Sequence, residues 1–146
     1  MAVVLMPLPD RDFDVTEVSV PWRLLDDPAF VAPVHWSEID PSTGRSVLAG
    51  SRTTCLPKYM ERTAFFATAW RRGRYYRTYP ADVEDEVRAA LDDPSGQFER
   101  GPIGFSRGTA TDDRPAFVVE DGRYVSARWP GDAYVFARRF EERLAG

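Results

Sequence analysis

The hydrophobic pattern is clearest at the C-terminal end of the chain. β-prone runs at 117–119 and 124–127 flank an Asp-Gly pair at 121–122, and Asp-Gly favours a tight hairpin turn because both central residues need positive φ. Trp129–Gly131 then breaks the second strand, and Asp132 can cap a following helix. The apolar residues that share one face of that helix are Ala133, Phe136, Ala137, Phe140 and Leu144. The pattern therefore predicts a hairpin, a sharp turn and an amphipathic helix.

The middle of the chain predicts a strand followed by a longer helix. Ser46–Thr54 reads as a strand, with Gly50 at a bulge or turn. Pro57 suits the first turn of a helix that runs towards Trp70, and Gly73 ends it. The predicted apolar face of this helix comprises Leu56, Tyr59, Met60, Thr63, Ala64, Ala67 and Trp70.

A second, shorter helix is predicted after this one. Asp82 can cap it, and Val83, Val87 and Leu91 recur at four-residue spacing along it. The segment 92–113 is rich in Gly, Pro, Ser and Asp, which predicts a long loop between this helix and the hairpin.

The N-terminal third gives weaker signals. Ala2–Met6 is short, apolar and stopped by proline, which is typical of a buried strand. A helix is expected next, with capping-box spacing for an entry at Val15. Because Pro21 would remove a hydrogen bond, the helix either starts later, capped by Ser19, or is kinked. The run at 2–6 has no basic lead-in and is too short for a signal peptide or a transmembrane span.

Length and composition limit the class of protein. The 146 residues suit one domain, 1–146, with 43% hydrophobic and 29% charged residues, as in ordinary globular proteins. The net charge of −4 argues against a dedicated binder of nucleic acid or of an anionic membrane. The single cysteine, Cys55, excludes an internal disulfide and favours a reduced, cytoplasmic setting.

Several of these segments together resemble the DJ-1/PfpI family of class I glutamine amidotransferase-like proteins. The chain matches that family in the strand ending at 126–128, the Pro-Gly turn at 130–131 and the closing helix. The apolar strand at 3–6, followed by Glu17 and Pro21, matches its opening. The block 44–91 also fits, so the resemblance covers nearly all of the residues present. It implies an α/β fold, a shortened flavodoxin-like three-layer arrangement with a C-terminal hairpin and closing helix.

The resemblance fails across the catalytic middle of the family pattern. Relatives carry a nucleophilic cysteine on a strand-to-helix elbow, but this chain passes from Ile39 directly to 40–46, which resembles the region downstream of that elbow. No Ala-x-Cys-x-Gly-like run occurs anywhere in the sequence. The acidic residue that tunes the nucleophile in relatives corresponds to Glu17, which here lacks its partner. The resemblance therefore implies a catalytically inactive family member.

Loss of central strands has a physical consequence for association. Sheet edges that were once paired would be exposed, and exposed edges promote oligomerisation. We therefore expect either a homo-oligomer or re-pairing of 3–6 with 46–54 or 124–127.

A second hypothesis keeps cysteine chemistry. Cys55 follows a predicted strand and precedes a predicted helix, whose N-terminus would lower its pKa. With Glu17 and His35, the single histidine, it would make a re-purposed cysteine hydrolase or deglycase-like enzyme. The alternative is that Cys55 is a small buried residue, which the bulky Leu56-Pro57 pair favours because an elbow needs small residues after its nucleophile.

A third hypothesis is a small module that binds nucleic acid or another anion. Between 71 and 79, four arginines (Arg71, Arg72, Arg74, Arg77) interleave with three tyrosines (Tyr75, Tyr76, Tyr79). Arginines can contact phosphates while tyrosines stack on bases, although a solvated helix end explains them equally well. The acidic total makes nucleic acid the less favoured partner. One Cys and one His cannot form a structural zinc site, and no phosphate-binding or dinucleotide fingerprint occurs, so neither a metal nor a cofactor is expected.

Overall fold

The computed structural model describes residues 19–20, 39–40, 42–73, 81–122 and 124–145. Its architecture is mixed α/β. In chain order the elements are β1 (Ile39–Asp40), β2 (Arg45–Ser46), α1 (Lys58–Arg72), α2 (Val83–Ala90), α3 (Pro94–Gln97), β3 (Val118–Asp121), β4 (Tyr124–Ala127), a 3-10 turn (Pro130–Asp132) and α4 (Ala133–Ala145). The predicted strand at 2–6 lies outside the described residues. Ser19 and Val20 are helical, so Ser19 is part of a helix and not its non-helical cap.

The strands form two separate antiparallel pairs. β1 pairs with β2, and β3 pairs with β4 in the register that sets Val118 opposite Ala127 and Asp121 opposite Tyr124. The predicted hairpin is thus confirmed. Asp121, however, belongs to β3 and pairs with Tyr124, so it is not one of the central residues of the turn. Gly122 has a φ of 58°, the left-handed conformation that makes glycine the favoured residue there.

The predicted strand Ser46–Thr54 is wrong over most of its length. Only its first residue belongs to a strand, and 47–50 form turns, so that Gly50 does lie in a turn. Farther on, Thr53 makes an isolated parallel bridge with Phe98: Thr53 N donates to Gln97 O (2.9 Å), and Thr53 O accepts from the amide of residue 99 (2.9 Å). The backbone of Thr53 thus finds its hydrogen-bonding partners at the end of α3 and just after it, which local β propensity cannot show.

Within the described residues this bridge is the only parallel pairing, so a flavodoxin-like sheet remains a prediction.

Helix α1 begins and ends where the sequence indicates, but only part of its predicted apolar face is buried. Gly73 closes it with a φ of 57° and donates its amide to Ala69 O (2.9 Å). Met60 is the only fully buried residue of the helix. Three members of the predicted apolar face are instead exposed, namely Thr63, Ala67 and Trp70. The outward side of α1 is therefore unusually apolar.

Helices α1 and α2 cap each other. The Glu84 carboxylate of α2 accepts from the amide of Lys58 at the start of α1 (3.0 Å), and the Glu61 carboxylate of α1 accepts from the amide of Val83 at the start of α2 (3.1 Å). Each bond satisfies an amide that has no partner within its own helix. The predicted cap Asp82 occupies the N-cap position of α2 but makes no capping hydrogen bond.

The hydrophobic core beneath these helices is small. Val87, Leu91 and Phe98 form a buried cluster, and the partly buried residues packed against it are Leu48, Val83 and Cys55. The four-residue spacing of the α2 apolar positions therefore predicted part of the core correctly.

A buried ion pair joins the hairpin to α4. Arg128 and Asp132 are 1% and 0% exposed, and two guanidinium nitrogens lie 3.3 Å from the two carboxylate oxygens. Asp132 also accepts from the amides of Phe117 (3.0 Å) and Trp129 (3.2 Å). Asp132 was expected to cap α4. Its carboxylate instead accepts hydrogen bonds from amides that precede it in the chain, one in the turn and one just before β3.

The same arginine holds the long loop before the hairpin. Its guanidinium donates to the carbonyl oxygens of Pro102 and Pro115 (3.3 Å for Pro115). Gly108 N also donates to Gly131 O (2.8 Å), so the loop meets the turn at a second point. These contacts hold the loop in place although it has no regular secondary structure of its own.

We predict that Arg128→Met lowers the free energy of unfolding by about 3–5 kcal/mol, because it leaves the Asp132 carboxylate buried without its cation. Urea unfolding measures this loss. The matched control is Arg114→Met, which removes a closer ion pair with Asp112 (2.8 Å) from a side chain that is 87% exposed, and should change stability by less than about 0.5 kcal/mol. Equal effects of the two substitutions would contradict the central role of the buried pair.

A second prediction concerns pH. Burial acts to raise the pKa of Glu84, but the hydrogen bonds from Arg100, the Lys58 amide and Arg88 outweigh it, so the pKa of Glu84 lies below its usual value. A carboxyl whose folded pKa is depressed stabilises the fold above its unfolded pKa and loses that contribution as pH falls through the folded pKa. Stability should therefore fall below about pH 4.5.

The test for this prediction is Glu84→Gln, which keeps a hydrogen-bond acceptor but cannot titrate. Urea unfolding at a series of pH values should show a smaller loss of stability in the variant between about pH 5 and pH 3 than in the unsubstituted chain. Identical slopes would show that Glu84 does not supply this acid sensitivity.

Candidate functional site

Cys55 lies in the short extended segment that leads into α1. It precedes Leu56 and Pro57, and Pro57 is the N-cap of the helix. Its side chain packs against the Val87–Leu91–Phe98 core, and its sulfur lies 3.7 Å from Leu56 O. The thiol therefore faces the interior of the protein.

The electrostatic surroundings of Cys55 disfavour its thiolate. Burial is the largest cause and, with the nearby negative charges of Glu84 and Glu61, raises the pKa of the Cys55 thiol to about 12; the cation of Arg88 offsets this only in part. The enzyme hypothesis requires a pKa lowered by the helix N-terminus, and the structure gives the opposite direction, in agreement with the alternative that Cys55 is a small buried residue. At this position the removal of the thiolate from water has the largest effect on the pKa.

Two of the proposed catalytic residues, Glu17 and His35, and most of the Arg-Tyr segment lie outside the described residues. Of the Arg-Tyr segment 71–79, only 71–73 are described, and there Arg71 and Arg72 are exposed in the last turn of α1. Basic side chains at that end of a helix are favoured by its dipole without any ligand.

Sequence analysis missed a charged cluster next to Cys55. Glu84 is 2% exposed, and its carboxylate binds Arg88 (3.1 Å) and Arg100. Arg88 also stacks over the Phe98 ring, with its guanidinium carbon 4.1 Å from the ring centroid. The sequence shows the acidic first turn of α2, but it gives no signal that Arg100, 16 residues after Glu84, is the partner of that carboxylate.

Each buried carboxylate within the described residues has an arginine partner. Asp82 pairs with Arg62 (2.9 Å), while Glu84 and Asp132 have the partners given above. A general acid or base needs a proton that it can exchange with substrate. Carboxylates locked in ion pairs at these positions instead stabilise the fold.

One depression on the described surface is open and shallow. It measures about 400 Å³, and its lining residues are Arg45, Ser46, Ala49, Glu86, Ala89, Ala90, Leu91 and Asp92. The guanidinium of Arg45 is already paired with the carboxylate of Asp92 across this surface. Small-molecule sites are usually concave and mostly enclosed, so this depression is a poor candidate for one.

Among the described residues, no group of three or more His, Cys, Asp or Glu side chains is arranged to hold a metal ion. No helix in this part of the chain has the length and apolar character needed to cross a membrane.

The most distinctive surface feature is an apolar stripe along α1. We define the α1 stripe as Tyr59, Thr63, Phe66 and Trp70, which recur at helical spacing on one side, together with Phe105. The exposed fractions of Phe66 and Trp70 are 71% and 83%. Phe105 of the long loop extends the stripe, since its ring meets that of Tyr59 edge-on at 5.9 Å. Large aromatic side chains exposed in a row mark an interaction surface more often than a catalytic one.

Comparison with known proteins identifies no relative. No family model matches the chain, and neither the curated proteins nor the solved structures contain a significant match.

Proposed function

We propose that this chain is a DJ-1/PfpI-like domain that has lost the family's cysteine-dependent chemistry and acts by binding a partner. The observation that carries this proposal is the state of its single cysteine. Cys55 packs into the core with its pKa raised to about 12, next to the locked Glu84 cluster. Cysteine nucleophiles instead need a thiolate in an accessible, electropositive setting.

The C-terminal region supports the family assignment. The strand β4, the Pro-Gly turn and α4 occur in the order that the resemblance implies, and the Arg128–Asp132 pair ties them together. Both residues belong to the matching motif between 126 and 132. Their buried contacts give the motif a structural role that does not require a nucleophile.

The absence of an elbow sequence supports the loss of activity. The full sequence has no second cysteine, and Leu56 with Pro57 follows the one that it has. Covalent catalysis by cysteine also requires an adjacent base to activate it. The Glu84 carboxylate, which would have to act as that base, already binds two arginines and a backbone amide.

The exposed aromatic α1 stripe supports a binding role. Phe66, Trp70 and Phe105 of this stripe are exposed, and aromatic side chains contribute strongly to interface energy when a partner buries them.

We predict that Cys55 of the folded chain reacts with a thiol reagent at least about 100-fold more slowly than Cys55 of the urea-unfolded chain. A pKa near 12 reduces the thiolate fraction about tenfold for each unit above the ordinary value, and burial limits access further. Labelling rates followed from pH 6 to 10 measure both effects. Rapid labelling with an apparent pKa below 8 would favour the re-purposed enzyme.

The control is Cys55→Ser. We expect this variant and the unsubstituted chain to show the same background rate in esterase, peptidase and deglycase assays. Its unfolding curve shows whether the variant remains folded. Hydrolytic activity that is abolished by Cys55→Ser in a folded variant would contradict the proposal.

A further inference from the structure

Residues 102–115 form a loop whose two ends are held by one side chain, and we call this loop the strap. Its length falls within the roughly 6–16 residues of compact surface loops whose ends meet. The Arg128 guanidinium donates one N–H group to the carbonyl oxygen of Pro102 and another to that of Pro115. Because one buried guanidinium closes both ends of the strap, loss of its contacts releases both ends together.

A second set of anchors joins the middle of the strap to the sharp turn and to α4. Gly108, the one buried residue between 102 and 115, donates its amide to Gly131 O (2.8 Å). A Cβ on Gly108 would lie 3.1 Å from the Cβ of Ala116 and 3.3 Å from Gly131 O, so the chain segments are in close contact there. From α4, Arg138 donates to the carbonyl oxygen of Ala110 (3.2 Å). These anchors and Arg128 all lie between 128 and 138, on one side of the strap.

On its other side the strap contacts α1 through Tyr59. The Tyr59 hydroxyl accepts from the Gly104 amide (3.3 Å), and its ring meets that of Phe105 edge-on. One long hydrogen bond and one pair of rings hold this side far less firmly than the anchors hold the other. Departure of the strap from α1 would remove Phe105, the one member of the α1 stripe that does not belong to the helix.

We propose that the strap is a conformational switch that opens as one piece under the control of Arg128 and carries Phe105 off the α1 stripe. Gly101, directly before the strap, has a φ of 69° and supplies a hinge residue that tolerates a wide range of backbone conformations. Segments with few buried side chains are the ones that open locally while the rest of a protein stays folded. When the strap is closed, Phe105 extends the stripe beside Tyr59; when it is open, only the helix residues remain.

The link between the strap and partner binding rests on the function proposed above, whereas the opening of the strap does not. Native-state hydrogen exchange on the full chain, followed residue by residue by NMR, tests the opening alone. The amides of Gly104 and Gly108 donate to opposite sides of the strap, to α1 and to the turn. We expect both to exchange with the same opening constant. This constant should be at least about tenfold larger than that of Val119 in the buried strand β3, because the hairpin stays intact.

The variant that tests control by Arg128 is Arg128→Lys. Lysine keeps a positive charge beside Asp132, but it lacks the fixed fork of donors that bonds both ends of the strap. The opening constant at Gly104 and Gly108 should therefore rise at least about tenfold more than the constant at Val119, because hydrogen bonds from a charged group are lost.

A second variant loosens the strap without touching the buried ion pair. Gly108→Ala adds a Cβ that presses on the neighbouring chain segments, and it should also speed exchange at Gly104. The matched control is Arg114→Lys, because Arg114 pairs with Asp112 inside the strap, so that this variant should leave the opening constant unchanged. Circular dichroism confirms that each variant is folded.

Three results would overturn the proposal. Opening constants at Gly104 and Gly108 that differ by more than about tenfold would show that the loop opens piece by piece. Exchange of both amides together with Val119 would show that they are released only by unfolding of the whole region. Unchanged constants in Arg128→Lys would remove the control by Arg128. Rapid labelling of Cys55, in contrast, would count against the proposed function and leave the strap untouched.

Discussion

The buried pair between Arg128 and Asp132 is the constraint on which the C-terminal half depends. Two charges removed from water stabilise a fold only when their remaining hydrogen-bonding groups are satisfied. Here the arginine meets two proline carbonyls of the long loop, and the aspartate meets two amides. The path of the loop between 101 and 117, the sharp turn and the start of α4 are therefore fixed by one set of contacts.

Glu84 is the buried charge that holds α1 and α2 together, and it also raises the pKa of Cys55. The carboxylate that draws Arg88 and Arg100 together adds a negative charge next to the thiol, which strengthens the effect of burial on its pKa. The electrostatics that stabilise this region therefore work against nucleophilic chemistry at the one cysteine. Partner binding along the outer side of α1 has no such conflict, because the α1 stripe lies away from the helix face that holds Met60.

Local sequence signals predicted the elements whose causes are local. The hairpin, the end of α1 at Gly73 and the spacing of α2 follow from turn chemistry, positive φ and periodicity. Predictions failed where distant contacts decide. Residues 47–50 form turns, and the backbone bonds from Ala49 and Thr53 go to residues between 92 and 99. Asp132 turns away from α4 because the amide of Phe117, 15 residues earlier, competes for it. The predicted face of α1 was only partly right, since apolar periodicity reveals amphipathic order but not which part of that face meets the core.

The reciprocal caps of α1 and α2 bear on how this region opens. Because the first turn of each helix is completed by a carboxylate of the other, separating them exposes unpaired amides at both helix starts at once. Neither helix can fray from that end independently, and isolated helices of 15 and 8 residues are marginal in water. The two helices therefore constitute one cooperative unit of local unfolding, in which the Lys58 and Val83 amides exchange their hydrogens with solvent in the same opening event.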